Sequence, residues 1–224
     1  MPDIEVPRNW NDMPFFVRKY NLPLAQREEL EILRGANPNA VFREFPGNIP
    51  PLLPGLVRTP EYVRGVFTEW GRSYDSEQIE AAAALRRGVL SLLLQKHVSI
   101  SLVVSEQALD YRPAGLCEAD MYYALNATLE AARHPGIDVR VLSGALDNQP
   151  RQGVSLFYTD GPAADRGHGF VAAVGEPCPL PVRESGMQTL EAIWDEVQNQ
   201  ALDAQASDGR IEDAVKRYQR AVAL

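Results

Sequence analysis

Ser99-Ile100-Ser101-Leu102-Val103-Val104-Ser105-Glu106 alternates with a period of two and sets Ile100, Leu102, Val104 and Glu106 on one side. That alternation predicts a half-buried strand whose apolar series ends in a carboxylate. Just downstream, Met121, Ala124, Leu125, Thr128, Leu129 and Ala132 recur at helical spacing until His134-Pro135-Gly136 stops the pattern. Ile137 to Leu142 then returns to strand character, so the order strand, helix, strand predicts a parallel crossover. Val154 to Thr159 and Gly169 to Val174 follow on short connections, which favour antiparallel pairing.

Working upstream, Thr59 before Pro60 is an N-cap with proline at the first helical position, and Tyr62, Val63, Val66 and Phe67 form its apolar stripe up to Trp70. Asp75 and Gln78 make a capping-box pattern for a second helix whose inward face, Ile79, Ala82, Ala83, Val89, Leu90 and Leu93, is apolar except for Arg86. Two helices close the chain, about Met187 to Leu202 and about Asp208 to Val222, the latter capped by Ser207. Residues 1–50 carry Pro2, Pro7, Pro14, Pro23, Pro38, Pro46 and Pro50, with one credible helix at Leu24 to Arg34; they read as an arm wrapped over the domain formed by 51–224. The expected architecture is α+β, a small mixed, mainly antiparallel sheet covered by helices, with a proline-rich N-terminal arm.

Charge and composition exclude several function classes. The 22 basic and 30 acidic side chains leave a net charge of 22 − 30 = −8, the wrong sign for neutralising phosphate, so no nucleic acid is expected as a direct ligand. Cys117 and Cys178 are too few for a disulfide framework and suit a reduced, cytoplasmic setting. The opening residues lack the basic flank and apolar run of a signal peptide, and nowhere do about 18 apolar residues run uninterrupted, so no membrane is expected either.

Catalytic signatures are scarce. There is no Gly-x-Ser-x-Gly, no Gly-x-Gly-x-x-Gly after a strand, no Walker loop and no His-Glu-x-x-His. Glu130 and His134 are four apart on one helical face, a metal-like pair without visible further ligands; a histidine favoured by the helix C-terminus is the simpler reading, and neither metal nor cofactor is expected. His168 stands between Gly167 and Gly169, where bare backbone could let a ligand approach or simply make a hairpin turn. Glu106 shares the apolar side of its strand, so it must reach solvent or be paired. Two readings stay open for it: an acid, base or amine anchor, or a structural salt bridge to Arg86 or Arg64.

At Leu53-Pro54-Gly55-Leu56-Val57-Arg58-Thr59-Pro60-Glu61-Tyr62-Val63-Arg64 the sequence resembles the Pro-Gly-Leu-x-Gln-Thr-Pro-x-Tyr-Ala-Arg signature that opens the uncharacterised C-terminal domain of WhiJ-type helix-turn-helix regulators of actinobacteria. Arg86 matches the second arginine of that family's Arg-x-x-Arg-Gln helix, Leu102 to Leu109 resembles its strand ending in Glu-x-x-Leu, and His134 to Leu142 resembles its helix end and following strand. Arg58 stands for the family's glutamine, and Ser143 for the proline after that strand. The resemblance runs from about Val41 to the end and leaves too short a leader for a helix-turn-helix, so it implies the companion domain standing alone. It further implies a shared pocket, with Arg58, Tyr62, Arg64 and Arg86 binding a ligand, and with Glu106 and His168, the latter at the mouth, as the catalytic groups. Two functions follow from it: a sensor-like module for a small molecule or small partner protein, or a cofactor-independent enzyme of specialised metabolism that reuses the pocket for acid-base chemistry.

Overall fold

The computed structural model describes residues 4, 6–21, 30–69, 75–159, 167–172, 179–181 and 184–222. Its centre is a six-stranded sheet. The strands are β1 (Val41–Phe45), β2 (Ser99–Ser105), β3 (Ile137–Leu142), β4 (Val154–Tyr158), β5 (Gly167–Ala172) and β6 (Pro179–Pro181), in spatial order β3-β2-β1-β4-β5-β6. β1, β2 and β3 run parallel, and β4, β5 and β6 continue from the other side of β1 with antiparallel pairing. The α+β class and the mixed sheet agree with the sequence reading.

β1 is the correction. Residues 41–45 lie in the proline-rich segment expected to be an arm, yet they form an inner strand, with Phe42 opposite both Ile100 and Phe157, and Glu44 opposite both Leu102 and Ser155. A boundary at residue 50 would separate β1 from the sheet it completes. Ahead of it lie α1 (Met13–Lys19) and a helical stretch at 30–34. The remainder of the helix expected from Leu24 to Arg34, along with Trp70 and residues 173–174 of the strand expected from Gly169 to Val174, falls outside the described residues.

The helices are α2 (Pro60–Glu69), α3 (Ser76–Gln95), α4 (Glu118–Ala132), α5 (Glu184–Gln200) and α6 (Ala204–Val222). The caps predicted for α2 and α3 form: Thr59 Oγ1 accepts the Tyr62 N–H at 3.3 Å, and Asp75 Oδ1 accepts the Gln78 N–H at 2.7 Å. One sheet face buries Phe42, Ile100, Leu102, Val139 and Phe157 against α3, α4 and α6, including Leu85, Leu125 and Ile211. The opposite face buries Phe45, Val103, Leu156 and Tyr158 against Met187, Trp194 and Val197 of α5. Because β1 and β2 pair in parallel, their carboxyl ends lie at the same end of the sheet.

Ser207 is not the cap expected of it. Asp203 caps α6 through its Oδ1 on the Ala206 N–H at 2.8 Å, while the Ser207 hydroxyl, fully buried, accepts the Val141 N–H at 2.9 Å. It closes the outer edge of β3, where the Leu202 N–H also donates to the Val141 carbonyl at 2.9 Å. Ser207→Ala leaves a buried N–H without its acceptor, so it should cost about 1 to 3 kcal/mol. A urea unfolding curve checks this; an unchanged midpoint would show that the edge is closed by other means.

Candidate functional site

The carboxylate at the heart of the arginine cluster is Glu44. Alternation along β1 turns it to the same face as Phe42, and there it meets the turn at Gly55–Val57, accepting the Gly55 N–H at 2.6 Å. Gly55 suits that approach, since a Cβ at this position would stand 3.3 Å from Glu44 Oε1. Arg58 follows the turn and donates from Nε to the Leu53 carbonyl at 2.7 Å, while the Leu53 N–H donates to the Tyr62 hydroxyl at 3.2 Å. The 53–62 segment is thus clamped on itself, with Tyr62 fully buried beneath it.

The charges are held at a cost. Glu44 and Arg58 each keep part of their surface at a cleft, but the surrounding protein governs their ionisation. Burial pushes the Glu44 carboxyl above its ordinary value, and the charges of Arg58 and Arg86 and the Gly55 and Leu56 amides only partly draw it back. Burial likewise lowers Arg58, opposed chiefly by Glu44. Tyr62 is raised to about 12, again by burial, with Arg58 opposing. Desolvation outweighs attraction in this group, the usual balance for ions taken out of water.

The cleft lies at the carboxyl end of β1, where the sheet changes from parallel pairing with β2 to antiparallel pairing with β4. Open sheets commonly receive ligands in such a crevice beyond the strand ends. Its walls include Pro46, Ile49, Leu53, Pro54, Val103 and Gln152, and its free volume is about 30 Å³, enough for one or two waters or one small polar group. Segment 46–49 is tied to 149–152 by Asn48 N–H to the Pro150 carbonyl at 3.1 Å and by Ile49 N–H to the Arg151 carbonyl at 3.0 Å. Gly47 permits that approach: a Cβ there would fall 2.4 Å from the carbonyl carbon of Gln152.

Of the expected site residues, Arg58, Tyr62 and Arg86 act on one another around Glu44. Arg64 is ion-paired with Glu80. Glu106 begins a 3-10 turn after β2 and pairs with Arg210 of α6 at 3.3 Å; that arginine fills the salt-bridge role expected of Arg86 or Arg64. His168 lies within β5, opposite Phe157, not in a turn. The glycine before it answers to packing, because a Cβ at Gly167 would stand 2.6 Å from the Tyr158 ring and 2.9 Å from the Met187 methyl.

Glu130 and His134 are committed elsewhere: Glu130 accepts from the Asn126 amide at 3.0 Å, and His134 Nδ1 accepts the Gly136 N–H at 3.1 Å. Among the described residues no group of three or more His, Cys, Asp or Glu gathers to hold a metal, and no helix is long and apolar enough to cross a membrane. Residues 49–213 match a protein family described as a domain of unknown function, DUF5753. No curated protein matches the chain, and no solved structure does.

Proposed function

Since the chain belongs to the DUF5753 family, we propose that it is a sensor-like binding module that receives a small molecule, or one polar group of a small partner protein, at the Glu44–Arg58 cleft. The observation that carries this reading is the half-buried pair of opposite charges at the switch point of the sheet, where burial disfavours both ionised forms. An incoming ammonium or carboxylate relieves that cost by giving one member a second partner. The likeness of residues 53–64 to WhiJ-type regulators supports a role beside actinobacterial transcription regulators in the cytoplasm, and the net charge of −8 favours reaching DNA, if at all, through a partner.

A second reading rests on the same carboxyl. A glutamate whose carboxyl is pushed upward by burial is suited to general acid or base work, as a cofactor-independent enzyme of specialised metabolism would require. Turnover of a substrate, abolished in Glu44→Gln, would favour it.

Titrating the labelled chain with methylammonium, acetate and glycine, followed by amide NMR, tests the binding reading. Saturable shifts at Gly55, Leu56 and Gly153 that vanish in Glu44→Gln are expected for the amine-bearing probes. No saturable shift with any probe, or the same shifts in the variant, would count against the cleft.

A further inference from the structure

A second, larger space lies on the far side of the 55–58 turn. It is a groove of about 310 Å³ walled by Leu56 and Val57 of the turn, Leu90 and Leu94 of α3, and Ala127 and Ala131 of α4. Arg58 stands in the wall that the groove shares with the Glu44 cleft, but its Nε donates to the Leu53 carbonyl at 2.7 Å and its charge is countered by Glu44. The other polar groups at the groove are Thr59, whose hydroxyl oxygen already accepts the Tyr62 N–H, Arg87, Glu130 and His134.

Their hydrogen-bonding capacity is unevenly spent. Arg87 is exposed and has no hydrogen-bond or ion-pair partner among the described residues. His134 Nδ1 is occupied by the Gly136 N–H at 3.1 Å, which leaves a neutral ring its Nε2–H to donate. Glu130, the one carboxylate lining the groove, already accepts from Asn126 at 3.0 Å. What remains uncommitted at this apolar trough is mainly donor, and cationic on the α3 side. From this we infer that the groove is a binding site for a singly charged amphiphilic acid, a carboxylate with a hydrocarbon body, whose head pairs with Arg87 while its tail lies along Leu90, Leu94, Ala127 and Ala131. Small-ligand sites begin at about 300 Å³, so a body of about eight to ten carbons fits the space. The site is distinct from the Glu44 cleft and does not depend on that reading.

Calorimetric titration of the full chain with octanoate, octan-1-ol and octylamine separates head from tail. One octanoate should bind per chain, with octan-1-ol about tenfold weaker for want of the charge-assisted pair and octylamine weaker than octanoate. Arg87→Gln replaces an exposed side chain and should keep the fold; it is expected to erase the octanoate advantage while octan-1-ol still binds. Ala127→Phe, checked for a cooperative melt, should block both. Octanoate binding no tighter than octan-1-ol, an advantage that survives Arg87→Gln, or binding only of an amphipathic peptide would each overturn the assignment.

Discussion

A chain cut back to residues 49–224, which begins where the family match begins, is expected not to fold cooperatively. The match starts at residue 49, after β1 has ended at Phe45, yet β1 is the strand that joins β2 to β4. Without it the parallel and antiparallel halves of the sheet lose their common partner and each exposes an unpaired edge. Phe42 and Phe45, at 2% and 0% exposure, are buried on opposite faces of the sheet. Removing a core phenylalanine side chain typically costs about 3 to 5 kcal/mol, so these two alone represent about 6 to 10 kcal/mol. That is comparable with the whole net stability of a domain, about 5 to 15 kcal/mol. The truncated chain should give a poorly dispersed proton NMR spectrum and no cooperative melt. A dispersed spectrum with a sharp transition would mean that another segment takes the place of β1.

Glu44→Gln is expected to remove binding of amine-bearing probes altogether while leaving the melting temperature at pH 7 no lower than that of the wild type. An ion pair kept for stability behaves otherwise: deleting one partner typically costs about 3 to 5 kcal/mol. The direction follows from linkage. The carboxyl of Glu44 lies above its ordinary value of 4.5 because burial disfavours its charge, so the folded chain holds that proton more tightly than the unfolded one. Its stabilising contribution is therefore fully present below about 4.5 and is lost as the pH rises through the folded value. Glutamine resembles the protonated acid in shape and keeps an oxygen for the Gly55 N–H. The stability of wild type minus Glu44→Gln, measured by denaturant unfolding across that window, should fall as the pH rises. A difference that grows with pH would identify the pair as a structural salt bridge.

Local signals made much of the fold legible. Thr59-Pro60 and the Asp75 capping box announced α2 and α3 because a cap involves only residues within one turn. The alternation of Ile137 to Leu142 placed β3 residue for residue. β1 escaped because its neighbours Pro38 and Pro46 suggest an arm, and because Arg43 and Glu44 interrupt its apolar residues. Their partners are remote in sequence: Arg43 lies 5.3 Å from the centre of the Tyr158 ring and 5.2 Å from that of Trp194, and Glu44 meets Gly55 across the end of the sheet. Glu106 misled for a different reason. The strand stops at Ser105, so the alternation that pointed the side chain inward ends one residue early, and the 3-10 turn delivers the carboxylate to Arg210. The sequence signal for Glu44 was a carboxylate on the Phe42 side of a short apolar run, visible only once 41–45 is taken as a strand.

Carbon-13 NMR of the glutamate side-chain carboxyls, followed through an acid titration of the whole chain, tests most directly whether burial rules the charges at this cleft. The Glu44 midpoint should lie above 4.5 and rise further in Arg58→Met, since the guanidinium is the largest of the influences drawing it down. A wild-type midpoint below 4.5, returning toward the ordinary value when Arg58 is replaced, would show that attraction dominates and would contradict the account.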